Sequence, residues 1–500
     1  MDNRPALNIK GGSHRWWILL TVIIGTFLGR LDQTIVNLAL PKIISDFSIT
    51  VTQASWIATA YILANAIFVP IWGKLGDTIG RKKVYILGFS IFIFGSVLAG
   101  LAWNLSSMIV FRIIQAIAGS ADYPTAMAII AFTFPTGKQR AQAMGLWSSS
   151  FAAASVFGPL IGGPLIDTFG WRSIFLVNLP VGIIGLVMAL IFIHESTSNR
   201  PTLHFDWGGA ITLGVTLSAL VLVLDKGNDW GWLSPESLLS YLTMLVFGYI
   251  FYRIDRNHPE PIVDFKFFRI GAFNAALLNN FVTFMGMMGG VFLLPVFVQI
   301  FLGYSATQTG YIFMPMAFCM MAAAPLGASL TGRVQPKYVI SISTLVSAIG
   351  LFLFTRLDPR STIPDIILPL SVMAFGMGFA MSQRTNIIAA AVPTSEIGIA
   401  SSILALARNI AGAFGIALFA TLLNQSVENN LLTIARNSII NSSDPIVRAQ
   451  AIALMILKAD ILAYRTVFLV SSVVMFIAAI LVIFTLNVKE LKSGVEVFIE

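Results

Sequence analysis

Roughly fourteen apolar runs of about 20 residues succeed one another along this 500-residue chain, from 17–40 at one end to 462–487 at the other. As a helix, each is long enough to cross the roughly 30 Å hydrocarbon core of a bilayer. That core offers no water to unpaired N–H and C=O groups, so such runs must satisfy their backbone hydrogen bonds internally. The expected fold is therefore an all-α polytopic membrane protein with fourteen transmembrane helices. Composition agrees: 57% of residues are hydrophobic and 11% charged, where a soluble domain carries roughly 25% charged. The first run is no cleavable signal, because it outlasts an apolar signal core and contains Arg30 and Asp32.

The net charge of +8 fits a basic bias in cytoplasmic loops, and no basic tail or aromatic-interleaved basic patch suggests a nucleic-acid partner. Cys319 is the single cysteine, and the four histidines lie outside the apolar runs. Disulfides within the chain, cysteine zinc sites and iron–sulfur clusters are thus excluded, and no metal is expected. A Walker A sequence is absent, as are H-E-x-x-H and G-x-S-x-G. ATP is therefore not the direct energy source, and a membrane-embedded enzyme, the rival from another functional class, lacks its motif.

An even number of spans puts both termini on one side. Placing that side in the cytoplasm assigns roughly 18 Lys/Arg to inner segments and roughly 8 to outer ones, the sense of the positive-inside rule. The expected location is a cell membrane, inner or plasma, crossed many times with both termini cytoplasmic. A polar segment after six spans divides the chain into a six-helix bundle (1–195), a two-helix insert with its linker (196–256) and a second six-helix bundle (257–500). The last contains a long outer loop, 425–461, expected either to lie as an amphipathic helix over the outer mouth or to be mobile. The stretches 73–87 and 327–341 align weakly, Gly73 with Gly327 and Lys83 with Lys337, as internal repeats of alternating-access carriers do.

Charged residues inside spans are functional candidates by default. In "TFLGRLDQTIVNLALP" (26–41), Arg30 and Asp32 point to opposite sides of a helix and are poor partners for each other. In "RIIQAIAGSADYP" (112–124), helical periodicity places Arg112, Gln115, Gly119, Asp122 and Tyr123 on one polar stripe. Counting the rise per residue brings Arg112 to the depth of Asp32, so these two are expected to pair. Arg30, Gln115, Tyr123, Asn280 and Arg408 are then candidates for the substrate cavity wall. Arg384 adds a second cation to the C-terminal half and has no assigned role.

Three motifs carry the mechanism. In "GKLGDTIGRKK" (73–83), Gly73 lets helices approach closely while Asp77 and Arg81 are placed to bind helix ends or each other. The stretch resembles motif A of the major facilitator superfamily, a cytoplasmic gate whose acid and arginine would be Asp77 and Arg81. Arg112 to Gly119 resembles the family's proton-transfer motif on its fourth helix, with Ala116 where glycine is usual. "GPLIGGPLI" (158–166) places Gly158, Pro159, Gly162, Gly163 and Pro164 in one helix and resembles the antiporter motif, the mark of exporters. "LDQTIVNLALP" (31–41), "GWRSIFLVNLPVG" (170–182) and "SSILALARNIAGAFGIA" (401–417) extend the likeness over the chain. It is similar to the fourteen-helix drug/proton antiporters of that superfamily, the branch of EmrB- and QacA-like multidrug exporters. The resemblance implies a proton-coupled secondary exporter of amphipathic or lipophilic small molecules, energised by the proton gradient without a cofactor. Proton coupling would fall to Asp32, Arg112 and Asp122. It equally admits an exporter of an endogenous lipid, siderophore or metabolite. Some relatives work with a periplasmic adaptor; no feature of this sequence reports one.

Overall fold

A computed structural model describes residues 12–134, 138–195, 206–259, 261–330, 333–392, 397–438 and 444–486. The expected linker is thereby left outside the described residues over 196–205, as are 439–443 of the expected outer loop. The first part of the chain forms α1 (Gly12–Phe47), α2 (Val51–Ile79), α3 (Arg81–Gly100), α4 (Leu105–Gly119), α5 (Asp122–Thr133), α6 (Lys138–Phe169), α7 (Ser173–Leu176) and α8 (Asn178–Phe192). A pair follows, α9 (Trp207–Trp230) and α10 (Pro235–Asn257). The last part forms α11 (Gly271–Ile300), α12 (Ala306–Ala328), α13 (Pro336–Leu353), α14 (Ile363–Phe379), α15 (Met381–Ala390), α16 (Ile397–Arg436) and α17 (Pro445–Thr485). Thirteen helical stretches of the described residues are long and apolar enough to cross a membrane. The remaining expected span, 142–166, coincides with α6, whose Ala153–Phe169 portion is a shorter apolar stretch.

Short turns, set by local chemistry, force neighbouring helices antiparallel. Capping boxes start α2 (Thr50 with Gln53), α4 (Asn104 with Ser107) and α12 (Ser305 with Gln308), each satisfying two otherwise orphaned N–H groups. Proline opens α10, α13 and α17, where its missing N–H costs nothing. The face on which α1 begins is called proximal below, and the other distal.

Helices α9 and α10 pack on each other, and α9 also touches α2 and α16. Between the six-span groups, α2 packs along α16 and α6 along α12. Hydrogen bonds join the groups near the distal face. Gln299 Nε2 donates to Leu38 O at 2.9 Å, Thr52 Oγ1 to Ala420 O at 3.5 Å, and Thr307 N to Asp167 Oδ2 at 2.8 Å.

Two local expectations are corrected. The fourth span carries a turn at Ser120–Ala121 between α4 and α5, and the expected single polar stripe divides by its partners: Arg112 and Gln115 bind Asp32, while Asp122 lies by Thr26 and Arg30. Over its described residues the stretch 425–461 is mostly helix and not a lid across the outer mouth, since α16 runs on to Arg436 and α17 begins already at Pro445. Asp444 caps α17 by accepting from Ile446 N at 2.8 Å, and Pro445 presets its first turn. The α2–α16 bond at Ala420 and a bond from Arg465 Nε to Leu357 O mark the distal level of the bundle. From there α16 continues for about 24 Å at 1.5 Å per residue. Asn430 Nδ2 ties it to Ala459 O of α17 at 3.3 Å, so the two form a projecting hairpin.

In a Cys319→Ser background, Leu454→Cys on this hairpin and Leu233→Cys at the α9–α10 turn should react with an impermeant maleimide from one side of the membrane. Lys83→Cys should react only from the other. Labelling of Leu454→Cys and Lys83→Cys from a common side would contradict the hairpin's placement.

Candidate functional site

Asp32, on α1, is buried where five helical elements converge. Its Oδ2 lies 2.5 Å from Arg112 Nη1 of α4. Its Oδ1 accepts from Gln115 Nε2 at 2.9 Å and from Asn178 Nδ2 of α8 at 3.1 Å. Arg112 also donates to Gln115 Oε1 at 2.6 Å, closing a triangle of acid, base and amide. The guanidinium stacks over the Tyr61 ring of α2, 4.0 Å from its centroid, and Asn178 donates on to Ser96 Oγ of α3 at 2.8 Å. Arg112 and Asp32 are each 1% exposed, so the charges have no access to solvent as compensation. A buried ion pair is net favourable only when extra hydrogen bonds satisfy its remaining lone pairs, which Gln115 and Asn178 supply here.

Small residues make the convergence possible. A Cβ at Gly95 of α3 would lie 2.9 Å from the backbone of Gln115, and one at Gly119 would lie 3.1 Å from Phe92 and Tyr61. Gly95 therefore lets α3 and α4 come close enough for Gln115 to reach Asp32.

Beyond the turn in the fourth span, Asp122 faces α1 nearer the proximal side. It sits beside Gly25 and Thr26 and within electrostatic reach of Arg30. A cavity of about 20 Å³, lined by Gly25, Gly29, Tyr85, Gly119 and Asp122 among others, abuts the carboxylate. That is room for a single water. Arg30 donates to Gln33 Oε1 at 3.2 Å and lies within reach of Tyr61, Asp122 and Tyr123. Tyr123 is 41% exposed and leans on Trp147.

The second half holds its own buried cations. Arg384 of α15 donates to Asn279 Oδ1 at 2.9 Å and to Thr344 Oγ1 at 3.0 Å. Arg408 of α16 reaches Asn280 Oδ1 and Thr385 Oγ1 at 3.4 and 3.5 Å, and packs over the ring of Phe284.

The antiporter-like motif lies on the distal half of α6, between the two groups of helices. A Cβ at Gly158 or Gly162 would meet Thr34 or Ile35 of α1, and one at Gly163 would meet the backbone of Ala306 and Thr307 at the start of α12. Pro159 O faces Gly310 of α12, while Pro164 O accepts from Thr168 Oγ1. Just past the motif, the Asp167 carboxylate accepts the N–H groups of Ala306 and Thr307, placing negative charge at the N-terminus of α12.

The motif A-like turn is centred on Gly80, whose φ of 113° a side chain would strain. Glu195, from the end of α8, accepts Lys82 N at 3.0 Å and Lys83 N at 3.3 Å and so caps α3. Gly73 packs against Pro124, and Arg81 is half-buried beside Gly76. The side chain of Asp77 lies outside the described residues.

The structure thus brings Asp32, Arg112 and Gln115 together, sets Arg30, Asp122 and Tyr123 in a second group, and places Asn280 and Arg408 in a third. Sequence reasoning missed Asn178, Ser96 and Tyr61. Asn178 stands inside the quoted "GWRSIFLVNLPVG" and could have been found as a polar residue opening a transmembrane helix.

The sequence matches the Major Facilitator Superfamily over residues 22–416. Multidrug transporter protein MdtP of Bacillus subtilis is 35% identical over 84% of this chain and 77% of its own length. Multidrug resistance protein Stp of Mycobacterium tuberculosis is 30% identical over 81% and 76%. A bacterial homologue of the human lysosomal transporter Spinster, solved inward-facing and unoccupied, superposes with a TM-score of 0.69 at 17% identity, covering 97% of this chain and all of that one.

Replacing Arg112 with methionine strands the Asp32 carboxylate in the bundle and should cost about 3–5 kcal/mol. Asn178→Ala removes one hydrogen bond and should cost about 1 kcal/mol. Thermal unfolding of the purified variants in detergent would rank them, and an Arg112→Met variant as stable as wild type would contradict the described burial. Gly163→Leu should separate α6 from α12 and expose a cysteine placed at Thr307 to thiol reagents from the distal side.

Proposed function

The chain belongs to the major facilitator superfamily, among its multidrug-exporter relatives, and from that premise we propose that it is a proton-coupled exporter of amphipathic small molecules working by alternating access. The observation that carries this reading is the Asp32–Arg112 pair. It is buried, it ties α1 to α4, and through Gln115, Asn178 and Tyr61 it touches α8 and α2.

A carboxylate in such a place has two ways to be neutralised, by the guanidinium or by a proton. The two are alternatives: once Asp32 is protonated, Arg112 loses its partner and the attraction between α1 and α4 weakens. The stretch of α1 that bears Asp32 continues directly to Thr34 and Ile35, which pack against Gly158 and Gly162 of the antiporter-like motif. A change at Asp32 therefore has a short mechanical path to the distal seal at Gly163 and Asp167. Asp122, with its adjoining water-sized cavity nearer the proximal side, is in this reading a second protonatable carboxylate along α1. Proximal is then cytoplasmic, substrate enters there between the two bundles, and the proton gradient supplies the energy.

Asp32→Asn keeps the volume and the capacity to hydrogen-bond Gln115 and Asn178 but cannot carry a proton. In proteoliposomes it should retain equilibrium exchange of substrate while losing accumulation driven by a proton gradient, by at least about tenfold. Gradient-driven transport at the wild-type rate would move the coupling role to another carboxylate, with Asp122 the first to test.

A further inference from the structure

The second bundle has an electrostatic imbalance. From Gly271 to Asn424 its sequence holds only three carboxylates: Asp358 on the distal turn between α13 and α14, Asp365 in the first turn of α14, and Glu396 just before α16, outside the described residues. Within that span Arg384 is 2% exposed and Arg408 half-buried, and among the described residues neither makes an ion pair. The two lie within electrostatic reach of each other, so each makes the other's isolation worse. An unpaired charge at membrane depth is costly to hold, and neutral amide and hydroxyl oxygens compensate it only in part.

The donors left over converge. Arg408 contacts Asn280 and Thr385 only at 3.4 and 3.5 Å, the long end of hydrogen bonding. Asn280 is 2% exposed; with its oxygen turned to Arg408, its Nδ2 donor group has no partner. Across the interface between the bundles, Tyr123 of α5 comes within electrostatic reach of Arg408, and the Phe284 ring lies against the guanidinium. A guanidinium and an unpartnered amide N–H beside an aromatic ring offer donors without an acceptor of matching charge.

We infer that Arg408, backed by Arg384 and with the Nδ2 group of Asn280, binds the anionic group of the transported amphiphile, a carboxylate, sulfonate or phosphate attached to an apolar body. This rests on the export reading and narrows it. The substrate brings the countercharge that the second bundle lacks, and Phe284 covers the apolar portion next to it. Arg408, the more accessible of the two arginines, makes the contact; Arg384 is a positioning residue, held by Asn279 and Thr344, that raises the local positive potential.

The test uses full-length protein in phosphatidylcholine nanodiscs and three fluorescent probes of one shape: pyrenebutyrate, pyrenebutanol and pyrenebutyltrimethylammonium. Wild type should bind the carboxylate at least about tenfold more tightly than the other two. Arg408→Gln should erase the preference without affecting alcohol binding, and Arg408→Lys should restore part of it. Equal binding of the three probes, preference for the ammonium, or an unchanged preference in Arg408→Gln would overturn the inference. So would loss of the preference when phosphatidylglycerol replaces phosphatidylcholine, which would assign the site to a lipid headgroup. If Arg384→Gln does not fold, Arg408→Gln and Arg408→Lys decide alone. Binding is read without a gradient, so a failure of proton coupling leaves this result standing, and an intact carboxylate preference without export would overturn only the export reading.

Discussion

A carboxylate and a guanidinium held 2.5 Å apart inside a bundle that lipid surrounds impose the strongest constraint on this structure. Leaving either charge alone at that depth is costly, which holds together the helices that carry them and favours hydrogen-bonding partners around the carboxylate. Gln115 and Asn178 exist in this arrangement to complete the carboxylate's shell, Tyr61 to cover the guanidinium, and Ser96 to orient Asn178. The positions of α1, α2, α3, α4 and α8 follow from that shell. In the mechanism proposed above, that same charge balance is the switch, and one proton on Asp32 changes it.

Close packing transmits the consequence. Glycines stand where α3 meets α4, where α6 meets α1, and where α6 meets the start of α12; at each, a methyl group would collide with a neighbour. Without a hydrophobic drive between helices in lipid, such small-residue seams supply the van der Waals contact that orders the bundle. Gly158 and Gly162 seat α6 on α1 within the first bundle, Gly163 meets the second bundle at α12, and Asp167 adds a charge-to-helix-end contact across that boundary. The antiporter-like motif therefore packs α6 against both α1 and the start of α12, rather than only kinking one helix.

Much of this was legible in the sequence. Span length and hydropathy placed the helices because lipid leaves the backbone no alternative, and the depth of Asp32 and Arg112 could be counted from the rise per residue. The pairing geometry of Asn178 and Tyr61 was not legible, since it depends on how far α8 and α2 turn toward α1, and an Asn or Tyr in an apolar run has no sequence signal for its partner. The turn at Ser120–Ala121 was hidden because no proline or glycine occupies those two positions. The projecting continuation of α16 and α17 was hidden for the opposite reason: 425–461 is less apolar, and a hydropathy pattern marks where lipid ends but not where a helix does. The cationic character of the second bundle could be read as Arg384 and Arg408, while their proximity to each other required the fold.

The central claim is that Asp32 exchanges its bond to Arg112 for a proton during transport. Infrared difference spectroscopy of the purified protein, recorded on addition of a transported substrate, reads that exchange directly through the carboxylic C=O stretch. The account predicts a substrate-induced change in a protonated-carboxyl band that disappears in Asp32→Asn and persists in Asp122→Asn. A band change that survives in Asp32→Asn, or no carboxyl change in a wild-type protein that transports, would contradict it.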